Sequence, residues 1–278
     1  MQRSYDALVL DIDGTLLDDR EQLPVRTAEA IAAARKAGVK VMLATGRSHG
    51  GVHGIAERLK LDLPSVVLNG AAVYSHHEAR LVDYYCLPAS LSADLVAFAR
   101  RARLLPVVAG PTGQYVRIPR PEEQSLLQGF HVVSAVPEAQ LLEIEPLRLT
   151  LFSLHHQSSG AFCDEVMEVC GSYPAYFTHF PLAALAACRE SSAHVVDIQP
   201  DCGGKAEALR LLQTRFNIPP ERVVAVGDAG NDIPILEAAG LGVAMGNATP
   251  AVKPVAKRVI GSNNTPALAE LIESLFFV

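Results

Sequence analysis

Short apolar runs alternate with amphipathic stretches over the first eighty residues of the chain. The runs at 7–12, 39–44 and 65–68 are almost continuously apolar, which is typical of strands that are buried on both faces of a sheet. Between them, residues 25–36 and 49–60 show the spacing of amphipathic helices. Strands that are separated by helices predict a parallel sheet with helices on both of its faces.

The same alternation returns after residue 195. The strands and helices that it predicts lie at 195–198, 205–216, 222–226, 232–239, 241–245, 258–260 and 266–276. The intervening residues 84–195 are rich in proline and mix helical stretches with strand-like ones. We therefore predict an α/β fold with a doubly wound, Rossmann-like parallel sheet, formed by residues 1–83 and 196–278, into which an α+β domain of residues 84–195 is inserted.

Composition limits the classes of partner. The chain has 278 residues, of which 49% are hydrophobic and 19% charged, and this suits a globular protein with a well-filled core. The formal net charge of −6 argues against nucleic acid or an anionic membrane as a partner, because both attract clustered Lys and Arg. If an acidic protein handles anions, it needs local positive charge, from a metal or from a few placed cations. We expect a monomer or a small homo-oligomer.

The cysteines indicate a reducing compartment. Their number, five, is odd, and they show no Cys-x-x-Cys spacing, so neither a disulfide framework nor a structural zinc site is expected. No signal peptide is visible, and no apolar stretch approaches the length of a membrane span. We therefore expect a cytoplasmic protein.

Acidic residues follow two of the predicted strands. Asp11 and Asp13 follow the first strand, and Asp228 and Asp232 follow the strand at 222–226. A solvated Asp-Gly turn explains the first pair alone about as well as a functional site does, and Asp232 alone is most simply a helix N-cap. Because parallel strands end at the same edge of a sheet, both pairs are expected to meet there. Such an oxygen-rich site suits Mg²⁺.

Two further segments offer groups that can hold a phosphate. Thr45, Gly46 and Arg47 lie between a strand and a helix, where backbone N–H groups and the positive end of the helix attract anions, although many Thr-Gly turns are ordinary loops. Lys205 begins a predicted helix, where a cation opposes the helix dipole, and this unfavourable placement suggests a function. There is no Gly-x-x-x-x-Gly-Lys-Ser/Thr sequence to support a P-loop nucleotide site.

Four segments together form an ordered motif set. They are Asp11-Ile-Asp13-Gly-Thr15, Thr45-Gly-Arg47, Lys205 and Gly227-Asp228-Ala-Gly-Asn231-Asp232. This set resembles the four motifs of the haloacid dehalogenase superfamily, over residues 7–83 and 195–277. The runs Leu68-Asn-Gly-Ala71 and Met245-Gly-Asn-Ala248, and the large insertion, are similar to the Cof-type sugar-phosphatase branch. One difference is that Gly204 and Ala206 flank Lys205, where members usually have Ser or Asn before the lysine and Gly after it.

The resemblance implies a phosphatase that works through a phosphorylated aspartate. Asp11 would attack phosphorus, and Asp13 would protonate the leaving group and later activate a water molecule. The implied ligands of Mg²⁺ are Asp11, the main-chain carbonyl of Asp13, Asp228 and, in support, Asp232. The residues implied to hold the phosphoryl oxygens are Thr45, Gly46, Lys205 and Asn231. For Arg47 two roles are open, since it would either brace this loop or reach the substrate.

The substrate implied by the resemblance is a small phosphorylated metabolite. A sugar phosphate is the first expectation, and pyridoxal phosphate, flavin mononucleotide or another small organophosphate are alternatives that the inserted domain, acting as a cap, would select. Two other functions stay open, namely a phosphomutase on the same scaffold and a non-catalytic sensor of phosphorylated metabolites. His49 and His53 have the spacing of a metal-binding pair on a helix, but without a third ligand a solvated helix face is favoured.

Overall fold

A computed structural model describes residues 4–128, 133–185 and 188–277. The chain forms two compact units, the first made of Met1–Asp83 and Gly203–Val278 and the second of Tyr84–Cys202. The strands are β1 Ala7–Leu10, β2 Lys40–Leu43, β3 Ser65–Val67, β4 Ala72–Ser75, β5 Arg80–Tyr84, β6 Leu105–Gly110, β7 Gly113–Arg117, β8 Val133–Val136, β9 Arg148–Ser153, β10 Ala175–Pro181, β11 His194–Pro200, β12 Val223–Gly227, β13 Leu241–Ala244 and β14 Arg258–Val259. The helices are α1 Val25–Lys36, α2 His49–Arg58, α3 Ala89–Arg101, α4 Glu138–Leu141, α5 Ser159–Cys170, α6 Glu207–Phe216, α7 Ile233–Ala238 and α8 Ala267–Phe276.

A five-stranded parallel sheet organises the first unit. Its strand order is β14-β13-β12-β1-β2, and each neighbouring pair is parallel. The register places Leu10 of β1 opposite Val226 on one side and Leu43 on the other. The neighbouring strands β12, β1 and β2 therefore end at the same level, which aligns the loops that follow them.

Both faces of β1 are covered, as its continuous apolar run predicts. All four of its residues are buried. Ala7 and Val9 belong to a cluster that includes side chains of α6 and α7, so these two helices pack on one face of the sheet. The alternate residues Leu8 and Leu10 are fully buried as well. Because burial on both faces is the environment that such apolar strands require, the α/β fold class with a parallel sheet core is confirmed.

The third predicted strand of the parallel sheet differs from the expectation. β3 pairs antiparallel with β4 in a separate sheet of order β3-β4-β5, and a single parallel bridge between Ala44 and Val66 connects it to the end of β2. The chain reverses directly after β3 because Leu68, Asn69 and Gly70 all have positive φ. The parallel bridge to the end of β2 agrees with the prediction, whereas the antiparallel pairing with β4 was not predicted, because an apolar run predicts a buried strand but does not specify its partners.

The second unit contains a six-stranded sheet of order β10-β11-β9-β6-β7-β8. Its pairs are antiparallel except for β7 with β8. Side chains of α3 and α5 pack with alternate residues of β6, β9 and β11, so the two helices cover one face of the sheet. The unit thus has the α+β character that the sequence predicts for the inserted region.

One predicted strand lies in the other unit. The apolar pattern places residues 195–198 in the parallel sheet, with a domain boundary at 195/196, but β11 pairs antiparallel with β9 and β10. The two compact units divide between Cys202 and Gly203. A central antiparallel strand that is buried on both faces has the same apolar pattern as a parallel one, which explains the error. In the described ranges no helix is long and apolar enough to cross a membrane.

Candidate active site

The sheet topology brings the predicted site segments to one edge. Asp11 directly follows β1, Thr45 lies two residues after β2, and Asp228 directly follows β12. These strands are parallel neighbours with β1 in the centre. Their carboxyl ends therefore deliver the three side chains to the same edge, which is where ligands bind in open α/β sheets.

Three carboxylates meet at this edge. One oxygen atom from each of Asp11, Asp228 and Asp232 lies within 4.8 Å of the others. Burial, together with the neighbouring carboxylates, raises the pKa of Asp11 well above its ordinary value and that of Asp228 to about 7. The group is therefore short of positive charge even though a lysine is bound to it.

Lys205 is the cation of this group. Its Nζ donates hydrogen bonds to Asp11 Oδ1 at 2.6 Å and to Asp232 Oδ1 at 2.7 Å, and the side chain is only 1% exposed. Burial alone would lower the pKa of Lys205, but Asp11 and Asp232 raise it above the ordinary value, so the ammonium group stays charged. Gly203 and Gly204 precede it with positive φ, and Lys205 lies in the short turn Gly204–Ala206 before α6, not in the helix itself.

Asp232 organises the loop after β12. Its Oδ1 accepts the hydrogen bond from Lys205, and its Oδ2 accepts hydrogen bonds from the backbone N–H groups of Asp228 and Ala229, both at 3.0 Å. The side chain thus connects the cation to the loop that carries Asp228. The carboxylate is buried in spite of its charge because it accepts these three bonds.

Asp13 and Arg47 form a bidentate ion pair. Arg47 Nη2 donates to Asp13 Oδ1 at 2.5 Å, and its Nε donates to Oδ2 at 2.8 Å. The Asp13 carboxylate is not in the group of three carboxylates, and its side chain is 56% exposed. The parallel fork of the guanidinium fixes both the position and the orientation of the carboxylate. Of the two roles predicted for Arg47, this contact matches bracing, with Asp13 as the braced group.

The remaining predicted phosphate-binding residues lie at the start of the neighbouring loops. Thr45 is buried, and its hydroxyl accepts a hydrogen bond from the backbone N–H of Arg47 at 3.1 Å. Asn231 donates through Nδ2 to Asn69 Oδ1 at 2.9 Å. Gly46 lies directly against the Asn69 carboxamide. The structure therefore brings Thr45, Gly46 and Asn231 together through Asn69, a residue for which the sequence predicts no role.

Thr15 and Asn247 also contact the site without a role predicted from the sequence. Thr15 donates to Asp228 Oδ1 at 3.3 Å, and Asn247 donates to the main-chain oxygen of Gly14 at 2.8 Å. Gly14 has no room for a side chain, since a Cβ there would lie 2.3 Å from Asp228 Oδ2. Both residues belong to the motif runs quoted above, so the sequence places them in site segments. Their contacts could not be predicted, because the partners are 213 and 233 residues away in the sequence.

The carboxylate group fits a divalent cation. All three donors are oxygens, which Mg²⁺ prefers, and their mutual repulsion is the kind that a divalent cation offsets. Asp11 and Asp228 are the better ligands, because Asp232 already accepts three hydrogen bonds. His49 and His53, which have the spacing of a metal-binding pair, are not part of such a group. His53 Nδ1 lies 3.2 Å from the Tyr74 hydroxyl, and the three aspartates are the only group of three candidate metal ligands among the described residues.

Comparisons with known proteins agree on one family. A family model described as haloacid dehalogenase-like hydrolase matches residues 8–272. A pyridoxal phosphate phosphatase of Escherichia coli, YbhA, is 30% identical over 282 residues, which cover 96% of this chain and 97% of the relative. The Bacillus subtilis phosphatase YwpJ is 28% identical over 289 residues, which cover 96% of this chain and 99% of the relative. The solved structure of the subclass IIB sugar phosphatase BT4131 has a TM-score of 0.79 at 23% identity, covers 97% of this chain and 98% of its own, and shows the same fold.

Proposed function

The chain belongs to the haloacid dehalogenase-like hydrolase family and is a phosphatase, and from that premise we propose that it hydrolyses small phosphomonoesters through a phosphorylated Asp11. One observation carries the proposal. Asp11 lies at the carboxyl end of β1, the strand between β2 and β12, accepts a hydrogen bond from a fully buried lysine and shares an oxygen-rich site with Asp228 and Asp232. A carboxylate in this position can attack a phosphate ester only if positive charge is close by, and Lys205 supplies part of that charge.

The reaction proceeds in two displacements. In the first, an Asp11 oxygen forms a bond to phosphorus while the bond from phosphorus to the ester oxygen breaks, and the leaving alkoxide takes a proton from Asp13. In the second, water attacks the same phosphorus, Asp13 accepts its proton, and the bond between phosphorus and Asp11 breaks. Inorganic phosphate leaves and the Asp11 carboxylate is restored.

The chain's own cations and N–H groups hold the charges during these steps. Lys205 offsets the charge of Asp11 and of the phosphoryl oxygens, which spread negative charge in the transition state. The turn at Thr45 and Gly46, together with Asn231, holds the remaining phosphoryl oxygens. Arg47 orients the Asp13 carboxylate, which has to lie within reach of the leaving oxygen.

A divalent cation completes the site in this proposal. Mg²⁺ would be held by Asp11 and Asp228, with the main-chain carbonyl of Asp13 as a further ligand and Asp232 in support. When bound, it supplies the positive charge that lets a phosphate dianion approach the Asp11 carboxylate.

The names of the relatives support a small phosphorylated metabolite as substrate. Besides the pyridoxal phosphate phosphatase, two Bacillus subtilis relatives, YitU and YwtE, are named 5-amino-6-(5-phospho-D-ribitylamino)uracil phosphatases. These substrates share a phosphomonoester on a small polar molecule, and a sugar phosphate belongs to the same class. We propose that residues 84–195 select among them, in a cytoplasmic protein whose five cysteines are thiols and form no disulfide.

The proposal is tested by phosphate release from a panel of phosphomonoesters. We expect release with Mg²⁺, no release after EDTA, and recovery when Mg²⁺ is added back. The panel includes p-nitrophenyl phosphate, sugar phosphates and pyridoxal phosphate, so that one assay measures both metal dependence and substrate preference. Undiminished hydrolysis in EDTA would contradict the metal site. Binding without turnover across the whole panel would contradict the phosphatase activity and favour a sensor.

A further inference from the structure

The turn that follows β3 has a strained backbone. Leu68, Asn69 and Gly70 have φ values of 52°, 50° and 103°. This region is unfavourable for residues with a Cβ, and Leu lacks the short polar side chain with which Asn stabilises it. Such conformations persist only where the surrounding structure fixes them, and they concentrate at functional sites. The turn lies at the sheet edge that carries the active site.

The strained turn places the Asn69 carboxamide between two site segments. The side chain is 3% exposed, and its Oδ1 accepts the hydrogen bond from Asn231 Nδ2 at 2.9 Å. A Cβ on Gly46 would lie 2.9 Å from the same Oδ1, so the carboxamide packs directly on the main chain of Gly46. The backbone N–H of Asn69 donates to the Thr45 carbonyl oxygen at 2.9 Å. Asn69 is thus bound to the loop after β2 and to the loop after β12 at once.

Gly70 connects the same turn to the lysine segment. A Cβ on Gly70 would lie 2.1 Å from the carbonyl oxygen of Gly204, the residue before Lys205. Only a residue without a side chain allows this approach. The turn therefore contacts all three segments to which the proposed function gives the phosphoryl oxygens, although its own residues have no part in that proposal.

We infer that Asn69 is a positioning residue of the phosphoryl pocket, which fixes the separation between the Gly46 main chain and Asn231. The inference rests on the proposed function, because that function identifies Gly46 and Asn231 as phosphoryl-binding groups. Asn69 acts through these two groups, and its carboxamide is the part that matters. A residue that served only to maintain the left-handed turn could be replaced by glycine without effect, because glycine adopts that conformation freely.

The substitution Asn69→Gly separates the two roles. It keeps the backbone conformation and removes the carboxamide. We expect a folded protein whose unfolding midpoint falls modestly, because one buried hydrogen bond is lost. The inhibition constant for orthophosphate should rise about tenfold and kcat/KM should fall by about ten- to a hundredfold, because small displacements of binding groups have effects of this size. The matched control is Asn217→Gly, since Asn217 has nearly the same backbone angles, φ 55° and ψ 36°, and caps α6 on the surface.

The control is expected to leave both constants at their wild-type values. Unchanged constants in Asn69→Gly would overturn the inference, and so would equal losses in the two variants. If Asn69→Gly fails to fold, Asn69→Ser replaces it, since serine is too short to contact Asn231. The inhibition constant for orthophosphate and kcat/KM are then expected to change in the same direction as in Asn69→Gly. Combination with Asn231→Ala gives a second test. If Asn69 acts in part through Asn231, the loss of kcat/KM in the double variant is smaller than the product of the two single losses, whereas fully multiplied losses would overturn the inference.

Failure of the proposed function gives a different result. Wild-type protein that neither hydrolyses any phosphomonoester nor binds orthophosphate in calorimetry with Mg²⁺ would contradict the phosphatase site itself. Wild-type protein that binds orthophosphate, with the same affinity in Asn69→Gly, would contradict only the role of Asn69.

Discussion

The two units bury polar side chains in different ways. In the first unit, the buried acids Asp11 and Asp232 lie after parallel strands, and Lys205, in the turn before α6, donates a hydrogen bond to each of them. In the second unit, buried polar residues stand within the strands, on the face opposite α3 and α5. There the Arg148 Nε and Asp197 Oδ1 atoms are 3.6 Å apart, and Asp197 also accepts a hydrogen bond of 2.5 Å from Thr150.

Alternation within the strands explains the second arrangement. Leu149 and Leu151 belong to the cluster that includes α3 and α5, whereas Arg148 and Thr150 point to the other side of the sheet. On that side Gln199 is fully buried, and among the described residues neither of its amide atoms has a hydrogen-bond partner. A parallel sheet thus collects polar groups at one edge, while the antiparallel sheet spreads them over a face.

The difference determines what a sequence can reveal. A carboxylate after an apolar strand can be assigned to the sheet edge from the order of residues alone. A polar residue at one position within a strand has many possible partners, and its role depends on neighbours across the sheet. Three pairs of substitutions test whether the chemistry is confined to the edge. Two pairs compare a residue of the edge with a residue of the antiparallel sheet, and the third compares two residues within the antiparallel sheet.

Asp11→Asn is expected to have the largest effect. Because asparagine has no carboxylate to attack phosphorus, kcat for p-nitrophenyl phosphate should fall by at least about 10³-fold with the fold intact. Asp197→Asn is the control, since Asp197 is equally buried and its hydrogen bond from Thr150 can be kept. It should change kcat by less than about tenfold. A variant at position 11 that still turns over at a wild-type rate would refute the nucleophile assignment.

Lys205→Met is expected to affect both activity and stability. Methionine leaves Asp11 and Asp232 buried without their cation. The free energy of unfolding, measured by urea denaturation with EDTA present, should therefore fall by about 3–5 kcal/mol. The loss of one charge-stabilising donor should lower kcat/KM by about 10²–10³-fold. Arg148→Met also breaks a buried pair and should lose stability, but it should keep kcat/KM for p-nitrophenyl phosphate within about tenfold. Equal kinetic losses in both variants would show that the chemistry is not confined to the edge.

Gln199→Leu is expected to have the smallest effect and the opposite sign. Removal of a buried amide without partners should raise the free energy of unfolding by about 1 kcal/mol. Gln114→Leu is the control, because Gln114 Oε1 accepts a hydrogen bond from Arg148 at 3.4 Å and its removal should lower stability. Urea unfolding of the two variants measures the difference. A loss of stability in Gln199→Leu would show that this amide is well bonded in solution.

Most of the first unit could be predicted from sequence because its signals are local. The helix at 25–36 begins and ends as predicted, and the parallel pairing of β1 with β2 follows from one apolar run after another. The antiparallel pairing of β3 with β4 could not be predicted in this way. The chain turns back after β3 because of three positive φ values, and nothing in the apolar run 65–68 specifies them.

The acids of the site were predictable, whereas their bracing was not. Asp11, Asp228 and Asp232 meet because the strands before them are parallel neighbours, a consequence of topology alone. The contact of Arg47 with Asp13 depends on side-chain geometry across 34 residues, and that of Asn69 with Asn231 spans 162. Such contacts are fixed only once the loops are folded against each other. For this reason a sequence pattern identifies the chemical groups of the site better than it identifies the residues that hold those groups in position.

The position of β1 between β2 and β12 determines the order in which its two neighbouring strands become available during translation. β2 leaves the ribosome soon after β1, but β12 begins only at Val223, so one edge of β1 lacks its partner while the 212 residues between Leu10 and Val223 are translated. Until then its exposed N–H and C=O groups are open to mispairing. The nascent chain therefore contains Asp11 long before it contains Asp228 and Asp232, the two acids that meet Asp11 at the sheet edge.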